Sequence, residues 1–422
     1  MPNIQIKKPA NEKSLPVFFC PPSKISSKAC KKKTISKIEQ NNGDSESNLV
    51  IDLFCGVGGF SLGAARAGFR VLGAVDNYPN ALNAHKKNFR GSIHLDLDVS
   101  RIDGKYLLGE LSIEAGKLAG LVGGPPCQGF SFIGKNCESD PRNLLFVHFF
   151  KIASEIKPLF FLCENVPGIL RENYASIRKK AIDCVQSDYL VLPPLILKAS
   201  DYGAPTTRER AFFFGYRRDS GMVVGLHNFL PPSNIDPINV RQALKGLPRK
   251  IDPNWQSEKD SWRRTYKSHN GSFGERVNGF IPDGVGDPAA IDKLIREKKV
   301  SGCLGTLHTA ELVERIRTLG SGMTDKISKS RRLDPKGYCP TLRAGTGSDH
   351  GSFQAVRPIH PYQDRVITPR EAARLQGFPD WFQFDSTKWH SFRLIGNSVS
   401  PILAEHLLSV IYQALQASTK EC

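Results

Sequence analysis

No C-x-x-C pair and no Cys/His spacing suited to zinc occurs in the sequence, although ten cysteines are scattered along its 422 residues. Structural metal sites and disulfide scaffolds need ligands or partners at recurrent spacings, so neither is expected and no metal ligand is assigned. Apolar runs approaching the roughly 20 residues that cross a bilayer are missing, and so is a secretion signal at the N-terminus. The expectation is a soluble cytoplasmic protein with no membrane partner. Acidic residues are the scarcer charge: 41 Asp and Glu stand against 58 Lys and Arg, a formal net charge of +17. That surplus favours a polyanionic partner such as nucleic acid without choosing among polyanions. Internal repeats are absent.

Residues 1–48 are rich in Lys, Ser and Asn, have no sustained apolar period, and read as a basic, disordered tail. From Leu49 short apolar runs alternate with segments of helical period, the pattern of an α/β fold with a parallel sheet flanked by helices. The runs Leu49–Phe54, Val71–Val75, Leu118–Val122 and Leu159–Cys163 predict buried strands, and Ile93–Leu97 a weaker one. Two further runs, Val191–Leu197 and Ala211–Tyr216, extend the sheet. Asp140-Pro141 is a helix start, with Leu145, Phe149, Ile152 and Ile156 on one face. After Arg218 the rhythm gives way to a Gly-, Pro- and Arg-rich stretch, and it resumes near Tyr362 to end in an apolar helix from Ile402 to about Leu415. The expected division is therefore a sheet domain over 49–218, a smaller irregular domain over 219–364, and a return segment over 365–422 that completes the first.

Parallel sheets bind ligands outside the carboxyl ends of their strands. The loops leaving the predicted strands carry Phe54-Cys55-Gly56-Val57-Gly58-Gly59-Phe60, then Asp76-Asn77, Asp98-Val99, Gly123-Gly124-Pro125-Pro126-Cys127, and Glu164-Asn165-Val166-Pro167. Every unusual cluster falls on that edge. A Gly-rich turn lets a ligand approach the backbone, and Asp76, about 20 residues after Gly56, is placed to accept from ribose hydroxyls. The glycines do not follow G-x-G-x-x-G, which points away from a dinucleotide and toward another nucleoside-containing cofactor. Cys127 lies between two prolines and a flexible Gly129-Phe130-Ser131, where a thiolate can attack an electron-poor ring carbon. Glu164 is the natural partner, a carboxyl able to hydrogen-bond a ring nitrogen, and Arg208 and Arg210 supply cations to orient Glu164 or hold a base and its phosphate. No His lies in either loop, which argues against a Cys-His hydrolase.

These motifs, in this order, resemble the cytosine-5 DNA methyltransferases of bacterial restriction-modification systems, over nearly everything from Leu49 to the last helix. The resemblance implies a Rossmann-like S-adenosylmethionine-dependent methyltransferase sheet. It makes Phe54, Gly56, Gly58, Gly59, Phe60, Asp76, Asn77, Asp98, Val99 and Pro125 cofactor-binding, with Asn397, Ser398 and Val399 of Gly396-Asn397-Ser398-Val399-Ser400-Pro401 returning to the same site. Cys127, Glu164, Arg208 and Arg210 are catalytic by the same likeness. Thr206-Thr207-Arg208-Glu209-Arg210 carries Thr206 where the family pattern has Gln, and Thr368–Pro379 is similar to the block that follows the recognition domain. Residues 219–364 correspond to that domain, with Arg331, Arg332 and Arg343 as candidate base or phosphate contacts. The implied partner is double-stranded DNA, with a cognate restriction endonuclease acting separately and the enzyme a monomer. The rival readings are an RNA cytosine-5 methyltransferase and a catalytically inactive DNA-binding regulator.

Overall fold

The computed structural model describes residues 48–126, 143–256, 261–266, 272–344 and 357–418. The tail to residue 47, Cys127 with the rest of its loop, and the Asp140-Pro141 helix start lie outside the described residues.

Strands and helices alternate as the periodicity predicts: β1 (Leu49–Leu53), α1 (Gly59–Ala67), β2 (Arg70–Asp76), α2 (Pro79–Asn88), β3 (Ile93–Asp96), α3 (Gly104–Leu111), β4 (Gly120–Gly123), α4 (Leu144–Ile156), β5 (Phe160–Asn165), α5 (Ala175–Asp183), β6 (Tyr189–Val191), β7 (Leu195–Lys198) and β8 (Glu209–Arg217). The sheet order is β3-β2-β1-β4-β5-β8-β6, with β7 also on β8. The first five strands are parallel, whereas β8 runs antiparallel to β5, and β6 and β7 antiparallel to β8. Both faces are covered, so successive side chains of one strand feed opposite cores. Phe160 and Leu162 face one core with Phe212 and Phe214, while Phe161 and Cys163 face the other with Ala211 and Phe213. The run expected as one strand over Val191–Leu197 is two. Pro193-Pro194 has no N–H to give the ladder, so the chain leaves the sheet there and rejoins β8 farther along.

The insert holds short elements: α6 (Val240–Ala243), the antiparallel pair β9 (Arg263–Arg264) and β10 (Lys299–Val300), α7 (Ser272–Asn278), α8 (Pro288–Asp292) and α9 (Ala310–Thr318). The chain then returns through α10 (Pro369–Gln376), α11 (Lys388–Asn397) and α12 (Pro401–Ser418). Thr368 and Glu371 form a reciprocal capping box that starts α10. Two buried arginines on α10 tie the return segment to the insert. Arg370 donates to the carbonyls of Ser301 (2.8 Å), Pro379 (2.9 Å) and Phe382 (2.7 Å), and Arg374 pairs with buried Asp380 while donating to Ala243 O (3.1 Å).

α12 packs along α1, burying Leu403, Leu407, Leu408, Ile411 and Leu415. The expectation that no stretch is apolar enough to span a bilayer fails at this end of the chain. By length and composition the helical stretch Lys388–Ser418 would suffice; its apolar window is 67% buried inside the protein, where it serves as core against the sheet domain.

Candidate active site

The carboxyl ends of β1, β2, β3, β4 and β5 share one edge of the sheet, and antiparallel β8 begins on that edge. This direction brings Arg210, near the start of β8, beside Glu164, near the end of β5.

After β1 the backbone turns sharply, with φ of 58° at Phe54 and 55° at Gly56. Gly56 donates its N–H to Asp76 Oδ2 (2.9 Å), and Tyr78 N–H donates to Asp76 Oδ1 (2.8 Å), so two amides fix the carboxylate at the end of β2. Burial pushes the Asp76 carboxyl up, against the opposing pull of those amides. Among the described residues nothing stands within 4 Å of where a Gly56 Cβ would project, so the turn faces open space beside a fixed carboxylate. A loop with bare backbone and an acid facing open space suits a nucleoside ligand, its ribose hydroxyls donating to Asp76.

Gly59 begins α1 in contact with the returning chain. A Cβ there would lie 2.2 Å from Ser398 Oγ and 2.4 Å from Val399 O, so only glycine lets residues 398–399 close over the first loop. Asn397 is exposed, Ser398 and Val399 are buried, and Gln376 of α10 donates to Ser398 O at 2.7 Å. The structure thus brings the segment predicted from the far end of the sequence to the loop predicted from its beginning. Phe60 is buried beneath that loop and Gly58 is left-handed (φ 99°), while Asn77 is exposed beside Asp76. Asp98 is partly exposed, its Oδ1 accepting from Ser100 N (3.0 Å) and Oγ (2.7 Å), which holds its carboxyl below the usual range. Val99, expected to bind the cofactor, is 2% exposed and packs into the core under β1.

Glu164 is 7% exposed and forms an ion pair with Arg210 Nε at 2.7 Å. Gly124 lies against its other oxygen, since a Cβ there would sit 3.0 Å from Oε2. The start of the Cys127 loop is pinned alongside: Asn165 Nδ2 donates to Pro125 O (3.3 Å), and its Oδ1 accepts from Val166 N (2.8 Å). Arg208 also reaches the return segment. Its guanidinium donates to Gly396 O (2.9 Å) and Asn397 O (3.2 Å), carbonyls at the end of α11 that have no helical donors. Thr206 is fully buried, its hydroxyl finds no hydrogen-bond partner among the described residues, and its backbone pairs with Cys339.

The other described cysteines in the interior are poor nucleophiles. Burial raises the thiols of Cys55 and Cys163, and pushes that of Cys303 up to about 12. Arg332, expected to contact bases or phosphates, is buried instead. It is bonded to the carbonyls of Ile316 and His360 and paired with Asp364 at 2.8 Å, so it braces the insert and cannot reach a base. Arg331 and Arg343 are exposed.

Two groups of residues escaped the sequence. Behind the first loop, Ser61 donates to Asp52 Oδ2 (2.6 Å), His85 Nε2 lies 2.9 Å from Ser61 Oγ, and His85 Nδ1 lies 2.8 Å from His94 Nε2. Burial pushes the Asp52 carboxyl up to about 7 and holds His85 well below its ordinary value. His85 on the apolar face of α2, among Ala81, Leu82 and Ala84, was the available signal. Beside the second loop, Tyr78 bonds His390 and lies under Arg393 (4.5 Å to its ring centroid), tying the Asp76 turn to α11. No local pattern announces that contact.

Residues 49–413 match the family described as C-5 cytosine-specific DNA methylase. Among curated relatives, the type II methyltransferase M.XorII of Xanthomonas oryzae is 36% identical over 370 residues, covering 87% of this chain and 85% of that protein. M.DdeI of Desulfomicrobium norvegicum is 30% identical, covering 85% and 87%. Among solved structures, an Escherichia coli prophage protein described as a candidate DNA modification methyltransferase superposes with a TM-score of 0.78 at 51% identity, covering 88% of this chain and 100% of that one. The Dnmt2 methyltransferase of Schizosaccharomyces pombe, with a TM-score of 0.55 at 16% identity, shares the fold.

Proposed function

The chain belongs to the C-5 cytosine-specific DNA methylases, and from that premise we propose that Cys127 and Glu164 carry the methylation of cytosine carbon 5 in a duplex DNA site. The activity itself is that of the family: DNA cytosine-5 methyltransferase. The observation that carries the assignment of residues is the Glu164–Arg210 pair at 2.7 Å, set against Gly124 at the root of the Cys127 loop.

Carbon 5 of cytosine is a weak nucleophile. When the Cys127 thiolate adds to carbon 6, electron density moves toward carbon 5 and N3, and Glu164 meets N3 with a carboxyl held in place by Arg210. S-adenosylmethionine, when bound, supplies an electrophilic methyl group. Carbon 5 would take that methyl as the donor's S–CH3 bond breaks and S-adenosylhomocysteine departs, the carbon 5 proton would pass to water, and expulsion of the Cys127 thiolate would restore the aromatic ring. Asp76 would hold the ribose of the donor, Gly56 would admit it to the backbone, and residues 397–399 would close the pocket from the other side. A stacked cytosine cannot reach these groups, so the base is flipped out of the duplex, with the +17 chain holding the phosphates. Residues 219–364 are the recognition domain in this reading, the return segment 365–422 completes the catalytic domain, and the enzyme works in the cytoplasm as a monomer that protects DNA from a cognate restriction endonuclease.

The test is Cys127→Ala. Methyl transfer to duplex DNA is expected to vanish while S-adenosylmethionine affinity, read by calorimetry, stays at the wild-type value. Transfer at the wild-type rate would overturn the assignment. Bisulfite sequencing of DNA from cells expressing the wild type identifies the site.

A further inference from the structure

Helix α2 is fastened to the return segment at both ends, and the two fastenings differ in kind. At its C-terminal end Asn88 and Gln383, both buried, exchange a pair of bonds: Asn88 Nδ2 donates to Gln383 O (2.8 Å), and Gln383 N–H donates to Asn88 Oδ1 (2.9 Å). At its N-terminal end the contacts are polar and half-exposed. The Tyr78 hydroxyl is bonded to His390 Nδ1, and Asn80 Nδ2 donates to Asp385 Oδ2 (2.7 Å). The Arg393 guanidinium faces two rings, 4.5 Å from the centroid of Tyr78 and 5.4 Å from that of Trp389. A buried reciprocal pair opens only together with the core around it, whereas half-exposed bonds exchange with water and open at small cost. The C-terminal end of α2 is therefore a pivot, and the N-terminal end a contact able to part.

That contact joins two walls of the candidate cofactor pocket. Tyr78 N–H donates to Asp76 Oδ1 (2.8 Å), so the residue bonded to His390 also sets the carboxylate beside the first loop. On the other side α11 carries His390 and Arg393 and ends at Asn397, from which Ser398 and Val399 close against Gly59. The second bond works on the same two elements. Asp385, which receives Asn80, also accepts from Thr387 N (2.7 Å) and Oγ1 (2.9 Å), where α11 begins. Parting Tyr78 from His390 would free both walls without unpacking the Asn88–Gln383 pair.

We propose that Tyr78 and His390 form a latch that sets how long the methyl donor stays bound, with Arg393 between Tyr78 and Trp389 steadying it. Both are positioning residues, acting on the donor through Asp76 and through residues 397–399. The inference rests on the chain binding S-adenosylmethionine at this edge of the sheet. Contacts that open to pass a ligand leave their mark on its release and not on the chemical step.

The experiment uses full-length protein and follows the release of radiolabelled S-adenosylmethionine chased with an excess of unlabelled donor. Tyr78→Phe, which keeps the ring beside Arg393, and His390→Ala are each expected to speed release and to raise KM for the donor roughly five- to ten-fold. The rate of a single turnover on DNA at saturating donor is expected to stay at the wild-type value. The double variant is expected to be no worse than either single one, because both remove the same bond. His390→Asn, whose amide can stand in for Nδ1, is expected to restore slow release. Additive effects in the double variant, or a single-turnover rate that falls as far as KM rises, would overturn the latch. A wild type that binds no S-adenosylmethionine defeats the reading on which the latch rests. A wild type that binds it, with single variants that release it no faster, defeats the latch alone.

Discussion

Asp52 shows how one side chain can make stability depend on pH. Its carboxyl, 1% exposed, is pushed up to about 7 by burial, and Asp76 nearby adds to the rise while the Ser61 hydroxyl opposes it. In the unfolded chain the same carboxyl ionises near 3.8. Between those values the folded chain keeps a proton that the unfolded chain has lost, so this contribution to stability is full below 3.8 and falls away as pH rises through about 7. The loss is about 4 kcal/mol. His85, which faces Ser61 from α2, works in the opposite sense: held below its ordinary value, it favours the folded chain more as pH rises toward 6.5. Asp52→Asn separates the two. Denaturant unfolding should show the variant gaining on the wild type by about 4 kcal/mol between pH 4 and pH 8, and a gap that does not change with pH would refute the shifted carboxyl.

At the scale of elements, α1 makes a tight approach to residues 398–399. Gly59→Ala would drive a methyl into Ser398 Oγ and Val399 O, forcing the return segment off the first loop. Overpacking of this kind lowers stability by about 1–3 kcal/mol, and S-adenosylmethionine affinity should fall roughly ten-fold with it. Calorimetry and thermal unfolding measure both, and wild-type values in each would mean that the segment yields freely. The elements differ in how plainly the sequence displayed them. β1, β2, β4 and β5 were legible because strands largely buried on both faces read as short, mainly apolar runs, with only Asp52 interrupting that of β1. The division of β6 from β7 was less so, since apolar residues flank Pro193-Pro194 on both sides. Strand direction is set by pairing with β5 and leaves no local mark, so both arginines and the Glu164 carboxylate could be named, while the carbonyls of Gly396 and Asn397 that Arg208 holds could not. Arg332 and Arg331 are neighbours of one type in the sequence. Only packing decides that the first is buried against Asp364 and the second faces outward.

Among the described residues the last helix, α12, lies along the first, α1. The start of β8 stands at the join: Arg210 holds Glu164, and Arg208, two residues away, holds the carbonyls of Gly396 and Asn397. A ligand that orders either side is expected to bias the other through this short piece of backbone. Such coupling is reciprocal in free energy, so the methyl donor must raise affinity for the DNA site by the same factor as the DNA site raises affinity for the donor, roughly five-fold or more. Titrating each ligand with and without saturating amounts of the other measures both factors; values of one would show that the arginines at the join transmit nothing. With the coupling in place, occupancy of the genome becomes a readout of metabolism. A cell that runs short of donor would find the enzyme loosening its hold on DNA before any base is left half-processed.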